Sequence, residues 1–251
     1  MHAVNAGAVG EVWATIGRNV GRPSAVLMVT AHWETSVPTL SGNPNPPMIY
    51  DFGGFPESLY QIRYPAQGEP AVAAQAAALL EAAGIKAAID AVRGLDHGTW
   101  VPLLKLFPDA DIPIVQLSVQ PSQNPAHHLA VGRALRPLRD GGVLFVGSGH
   151  LTHNLRDWMQ SRGEQSPLPY AVSFQQWVNT QLSSGDVAAL CRYHETSADG
   201  VRAHPTPEHF LPLFVALGAA DDDAPAERLF DGFEGAALAL DTYRFQSRQT
   251  R

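Results

Sequence analysis

Two stretches of the chain are almost wholly apolar and stop abruptly at polar residues: "SAVLMVTAHW", Ser24 to Trp33, and "GGVLFVGSGHLTH", Gly141 to His153. Both are short and neither alternates with a period of two, a pattern that predicts strands buried on both faces, as in a parallel sheet. Both end in histidine. "IPIVQLSV", Ile112 to Val119, is a third strand after the turn-like "FPDAD", and "KAAIDA" is a weaker fourth. Between the strands, "EPAVAAQAAALLEAAG" with Gly84 as its stop and "AHHLAVGRALRPLRDGG" with Gly141 in the same place predict helices. The stretch from Ser166 to Glu195 reads as two more. Near the C-terminal end, "PTPEHF" predicts a helix start, with Thr206 as cap, Pro207 as first helical residue, Glu208 as a favourable charge and His209 in the first turn. The positive end of a helix dipole disfavours imidazolium, so His209 is expected to be neutral, the form that binds metals or accepts protons.

Strand and helix alternate. That order predicts an α/β single domain spanning residues 1–251, with a central mostly parallel sheet flanked by helices on both faces. Such sheets bind ligands beyond the carboxyl ends of their strands, where His32, His150 and His153 fall. The segment from Gly42 to Pro70 holds six prolines and four glycines, so it is expected as a long structured loop of the kind that lines a site. The acidic stretch "DDDAPAE" reads as a solvated turn and the terminal "YRFQSRQTR" as a fraying end.

Composition narrows the partners. Of the 251 residues 45% are hydrophobic, enough for one sizeable core, and no apolar run approaches the roughly 18 residues of a membrane span. With no leader-like N-terminus, the protein is expected to be cytoplasmic. The formal net charge of -7 comes without a cluster of Lys and Arg, which argues against nucleic acid and for small molecules. A homo-oligomer is compatible with this composition. The single cysteine, Cys191, can form no internal disulfide and sits in a helix-like segment as a buried, inert thiol.

Ten histidines then need sorting. His127 and His128 lie on a helix of mixed polarity and read as surface residues; His2, His194 and His204 carry no positional signal. His32 follows an apolar run at a strand end, which suits a ligand or a catalytic group. His97, in "GLDHGTW", lies in a Gly-flanked loop before a helix, where a site role and a structural one are both open. His150 and His153 share a strand end, and only one of them need point inward. No local spacing of the H-E-x-x-H kind joins these residues. Imidazoles converging at one sheet edge suit Fe(II) or Zn(II), with Glu208 or Asp51 as further ligands or orienting groups.

Taken together, "TAHWET", "YDFGGFPESLYQIRYPAQGEP", "GLDHGTWVPLLKLFPDADIPIVQLSV", "GSGHLTHNLR" and "PTPEHFLPLFVALGA" resemble the class III extradiol ring-cleavage dioxygenases, in particular their B-type catalytic subunits, and are close to the 4,5-DOPA dioxygenase-like branch. The resemblance runs from about Ser24 to Glu234. It implies a non-haem metal site, Fe(II) in active enzymes and Zn(II) as an occupant on purification, that opens a catechol-type ring with O₂. By the same resemblance His32 and His209 are metal ligands, His97 lies near the substrate, and His153 is the acid/base, a role that a pKa near 7 suits. Tyr50 and Asp51 are expected to shape the pocket. One feature of the family is missing: a first strand and an "HGSPM" turn whose histidine is another ligand. The sequence opens "MHAVNAG", as though Met1 were the methionine of that turn, so the natural chain is expected to extend upstream, and His2 is not the aligned residue. Two other readings stand beside this one, a zinc-dependent hydrolase and an inactive binding protein of the same fold.

Overall fold

A computed structural model describes residues 3, 6–164 and 166–245; His2 and the last residues of the terminal "YRFQSRQTR" lie outside these. In chain order the helices are α1 Gly7–Val20, α2 Pro70–Ala82, α3 His97–Leu106, α4 Pro125–Asp140, α5 Leu155–Gln160, α6 Pro169–Ser184, α7 Val187–Cys191, α8 Tyr193–Thr196, α9 Gly200–Ala203 and α10 Leu211–Ala219. The strands are β1 Ala25–Glu34, β2 Thr39–Ser41, β3 Ala88–Asp90, β4 Ile114–Val119, β5 Val143–Ser148, β6 Thr152–His153, β7 Ala226–Phe230, β8 Phe233–Glu234, β9 Leu238–Ala239 and β10 Thr242–Phe245. None of the described helices is long and apolar enough to cross a membrane.

The continuous apolar run of β1 is explained by its place, next to the sheet edge strand β5 and covered on both faces. The central sheet has the order β3-β2-β4-β1-β5, with β1 parallel to β4 and β5, β2 parallel to β3, and β2 against β4 the one antiparallel pair. Ala25, Leu27 and Val29 pack on residues of α2, α4 and α10, whereas Val26 and Met28 face α3 and the long loop. Alternate residues therefore feed two cores, as the pleat requires. A third core joins α6 to α10, Leu151 and β9. The predicted α/β fold with a mostly parallel, helix-flanked sheet is present.

Three predicted elements change on folding. The run from Gly141 to His153 is two strands, because the chain leaves the central sheet after Ser148 and resumes as β6, paired with β9 in a small antiparallel sheet. Gly147 and Gly149 explain the break: a Cβ on Gly149 would lie 2.2 Å from the carbonyl oxygen of His209, and one on Gly147 would lie 2.6 Å from that of Pro212. Only glycine lets the 209–212 backbone rest on this strand end. Second, the C-terminal helix begins at Leu211 rather than at Pro207. Pro212 occupies its first turn, while Pro207 O accepts hydrogen bonds from the N–H groups of Phe210 and Leu211 in a separate turn that holds His209. Third, Thr242–Phe245 pairs with β7 instead of fraying.

The outer side of β5 pairs with no strand among the described residues. Leu144, Phe145 and Val146 line a cavity there with Ile16 of α1, Leu213 of α10 and Tyr243 of β10.

Candidate metal and catalytic site

His32 sits near the end of β1, within the irregular stretch of its register with β4 between Val29 and Glu34. Such breaks often re-aim a side chain beside a site. The same end of β1 is tied to the start of α3 by Asp96, a fully buried carboxylate that caps the helix by accepting from Thr99 N at 3.1 Å. Asp96 also accepts from Thr30 Oγ1 at 2.9 Å and from Arg93 Nη2 at 2.9 Å. Burial pulls the Asp96 pKa up, against these hydrogen bonds. The clamp places His97, the first residue of α3, with its ring centroid 3.9 Å from that of His32. Replacing Asp96 by alanine would strand the Arg93 charge and the Thr30 hydroxyl, so the variant is expected to lose about 3–5 kcal/mol of stability. Urea unfolding checks this; a loss near zero would mean that the clamp does not hold the two histidines together.

Asp51, from the long loop, reaches both imidazoles. It accepts from His97 N at 2.9 Å and lies 2.9 Å from His97 Nδ1 and 3.6 Å from His32 Nδ1. Burial alone would raise its pKa, but the hydrogen bonds and charge of His97 outweigh that and hold the carboxyl below its usual range. Asp51 thus fits the orienting role better than that of a distant pocket wall. Tyr50 points away, donating to Ile62 O at 2.6 Å and standing edge-on to Phe52 at 6.1 Å, so it braces the wall rather than lining the cavity.

The second half of the site comes from the broken strand and the turn before α10. His153 in β6 stacks on His209 at 3.5 Å with an interplanar angle of 16°, and its Nδ1 is 3.6 Å from Glu208 Oε1. His209 is 7% exposed, and its ring centroid lies 5.1 Å from that of His32. Its pKa is driven well below the ordinary histidine value by burial first and then by His153 and the other imidazoles. The expected neutrality is present, with burial as its first cause and the neighbouring imidazoles second; His209 lies ahead of α10 rather than in its first turn. His32 is pushed down to about 4 by burial and then by His97, and His153 to about 3 by burial and then by His204.

The sequence pattern leaves open which of His150 and His153 turns inward. Both line the cavity, with ring centroids 5.6 Å apart. By contrast, His128, expected at the surface, is a core residue, and so is His204, which carries no positional signal in the sequence. His128 is 0% exposed, accepting from Gln120 N at 3.1 Å, and the buried His204 Nε2 is 2.8 Å from Leu151 O. Cys191 is half-buried and its thiol is pushed up by burial, as expected of an inert group. The acidic stretch forms ion pairs, Asp221 with Arg139 and Asp222 with Arg136, far from the histidines in sequence and role.

Five histidines, His32, His97, His150, His153 and His209, therefore meet at one cavity of about 870 Å³, with Phe52, Phe55 and Trp158 among its apolar walls. Two clusters in it have the chemistry of metal sites, His32 with Asp51 and His97, and His150 with His153 and His209. Residues 9–238 match the family described as the catalytic LigB subunit of aromatic ring-opening dioxygenase. The chain belongs to the LigB family. Its relatives include the 4,5-DOPA dioxygenase extradiol of Portulaca grandiflora, 43% identical over 90% of this chain and 83% of that protein. The proteins of the same name from Beta vulgaris, at 41% identity, and Escherichia coli K12, at 42%, each match over 84% of their own length. A crystal structure of an uncharacterized protein from Escherichia coli K12 superposes with a TM-score of 0.80 at 36% identity, covering 94% of this chain and 91% of that one. As a LigB protein the chain is an extradiol dioxygenase that opens an aromatic ring.

Proposed function

We propose that His32 and His209 hold Fe(II) at the floor of this cavity, that a catechol-type aromatic lies over it, and that His153 is the acid/base of the ring opening. The observation that carries this reading is the meeting of imidazoles from β1, α3, β6 and the 205–210 turn at one apolar-walled cavity, where burial first of all lowers the pKa values of His32, His153 and His209. Neutral imidazole nitrogens beside an orienting carboxylate, Asp51, fit a divalent first-row metal. Fe(II) bound there would supply the Lewis-acid and redox chemistry by which O₂ reacts with the ring.

The chain's own groups account for the proton transfers. His153 is neutral at physiological pH, so it can take the proton of a catechol hydroxyl and return it as the ring opens. A pKa of about 3 makes it a weak base in the empty cavity. Glu208 at 3.6 Å and the negative charge of an ionising catechol are what would raise that value once substrate arrives. His97, with Nδ1 turned to Asp51, leaves Nε2 to hydrogen-bond a substrate hydroxyl. Phe52, Phe55 and Trp158 would cover the ring and exclude water.

Metal preference tests the function directly. Turnover of a catechol by the Fe(II)-loaded protein and none by the Zn(II)-loaded protein is expected. Equal activity with both metals and no use of O₂ would replace the reading with a hydrolase.

A further inference from the structure

We propose that His150 is a metal ligand in this chain, joining His209 and His32 at the site assigned above; the inference rests on that metal-site reading. His150 Nδ1 and His209 Nδ1 stand 3.3 Å apart. Two nitrogens bound to one ion at roughly 2.1 Å and a tetrahedral angle are about 3.4 Å apart, so the pair already has the spacing of two cis ligands. As a hydrogen bond the same contact is long, beyond the usual ~2.7–3.2 Å range for an N–H donor. The rings are inclined at 47°, which lets two in-plane lone pairs converge on one point.

His153 does not fit that role, although it belongs to the same cluster. Its ring is nearly parallel to that of His209, at 16° and 3.5 Å. Lone pairs lie in the ring planes, so those of stacked rings run side by side and do not meet at one ion. His153 is thereby left for proton transfer and His150 for the metal. The chain path gives the same division. Gly149 lets the His209 carbonyl press against the strand end, which puts the next residue, His150, beside the His209 ring. His153, three residues later, is held by pairing of β6 with Leu238 of β9.

The test uses the 251-residue protein, Zn(II) as the probe, and His150→Asn beside His209→Ala. Calorimetry should show Zn(II) binding weakened in H150N by at least the ~100-fold that marks the upper end of losing an outer-sphere partner. X-ray absorption at the zinc edge should count one imidazole fewer in H150N than in the parent. A measurement on the unmutated protein guards against misfolding of the variant: ¹⁵N-histidine spectra should show the His150 Nδ1 resonance moving on zinc addition. Unchanged affinity, an unchanged imidazole count and a static His150 resonance, with zinc lost from H209A, would overturn the inference and leave the metal site standing. No zinc binding by the parent protein would overturn both.

Discussion

Replacing His153 by alanine is expected to leave bound metal at the level of the parent protein and to lower turnover of a catechol by at least about 100-fold, the usual worth of a positioned acid/base. The split between the two readouts follows from geometry. His153 lies face to face with His209, so their in-plane lone pairs lie in nearly parallel planes and do not converge on one ion, and removing His153 takes away a proton acceptor rather than a ligand. The ring also fills space against a buried neighbour, and alanine leaves a gap there. His153→Gln, which keeps bulk and hydrogen bonding without an imidazole, should be as inactive as the alanine variant. Metal analysis and steady-state rates on the two variants settle the point, and turnover near the parent rate would remove His153 from the mechanism.

His209→Ala is expected to do the opposite, costing metal first. Loss of a direct ligand should weaken binding beyond the ~10–100-fold that loss of an outer-sphere partner costs, and activity should disappear with the metal. His209 is buried, neutral, and within ring contact of His32, His150 and His153, so no other single imidazole touches as much of the site. The expected signature is low stoichiometry by elemental analysis after loading and desalting. A variant that retains one tightly bound metal per chain would transfer the ligand role to the other cluster, His32 with Asp51 and His97.

The parts of this site that the sequence makes legible are those set by local pattern. β1 can be read because a strand buried on both faces leaves an unbroken apolar run, and His32 marks where that run ends. The long loop can be read from its prolines and glycines, and Asp51 lies in it. What cannot be read depends on distant contacts. Nothing local shows that the chain quits the sheet at Gly149, since the cause is the backbone of His209, far along the chain, pressing on that glycine. That single contact decides that both His150 and His153 reach the cavity, where the pattern asks for only one. Pro207 imitates a helix start, but Pro212 supplies it, because the 207–211 turn closes on Pro207 O first. His128 looks solvent-facing on its helix until Gln120 N reaches it, and the three-residue β2 is too short for any periodicity to register.

The roles of His32, His97, His153 and His209 are suggested by resemblance, and the fold brings all four to one cavity. Sequence alone does not offer Asp96, whose burial binds the two halves of the β1–α3 corner. An Asp before His-Gly reads as an ordinary helix cap; its second task depends on Thr30 and Arg93 arriving from elsewhere in the chain.

The most direct test of the whole account is O₂ consumption with a panel of catechols by the anaerobically Fe(II)-loaded 251-residue protein. The expected result is uptake of one O₂ per ring opened, with loss of uptake in His153→Ala. No uptake, with iron confirmed in the protein, would contradict ring cleavage of these catechols as the activity of this site.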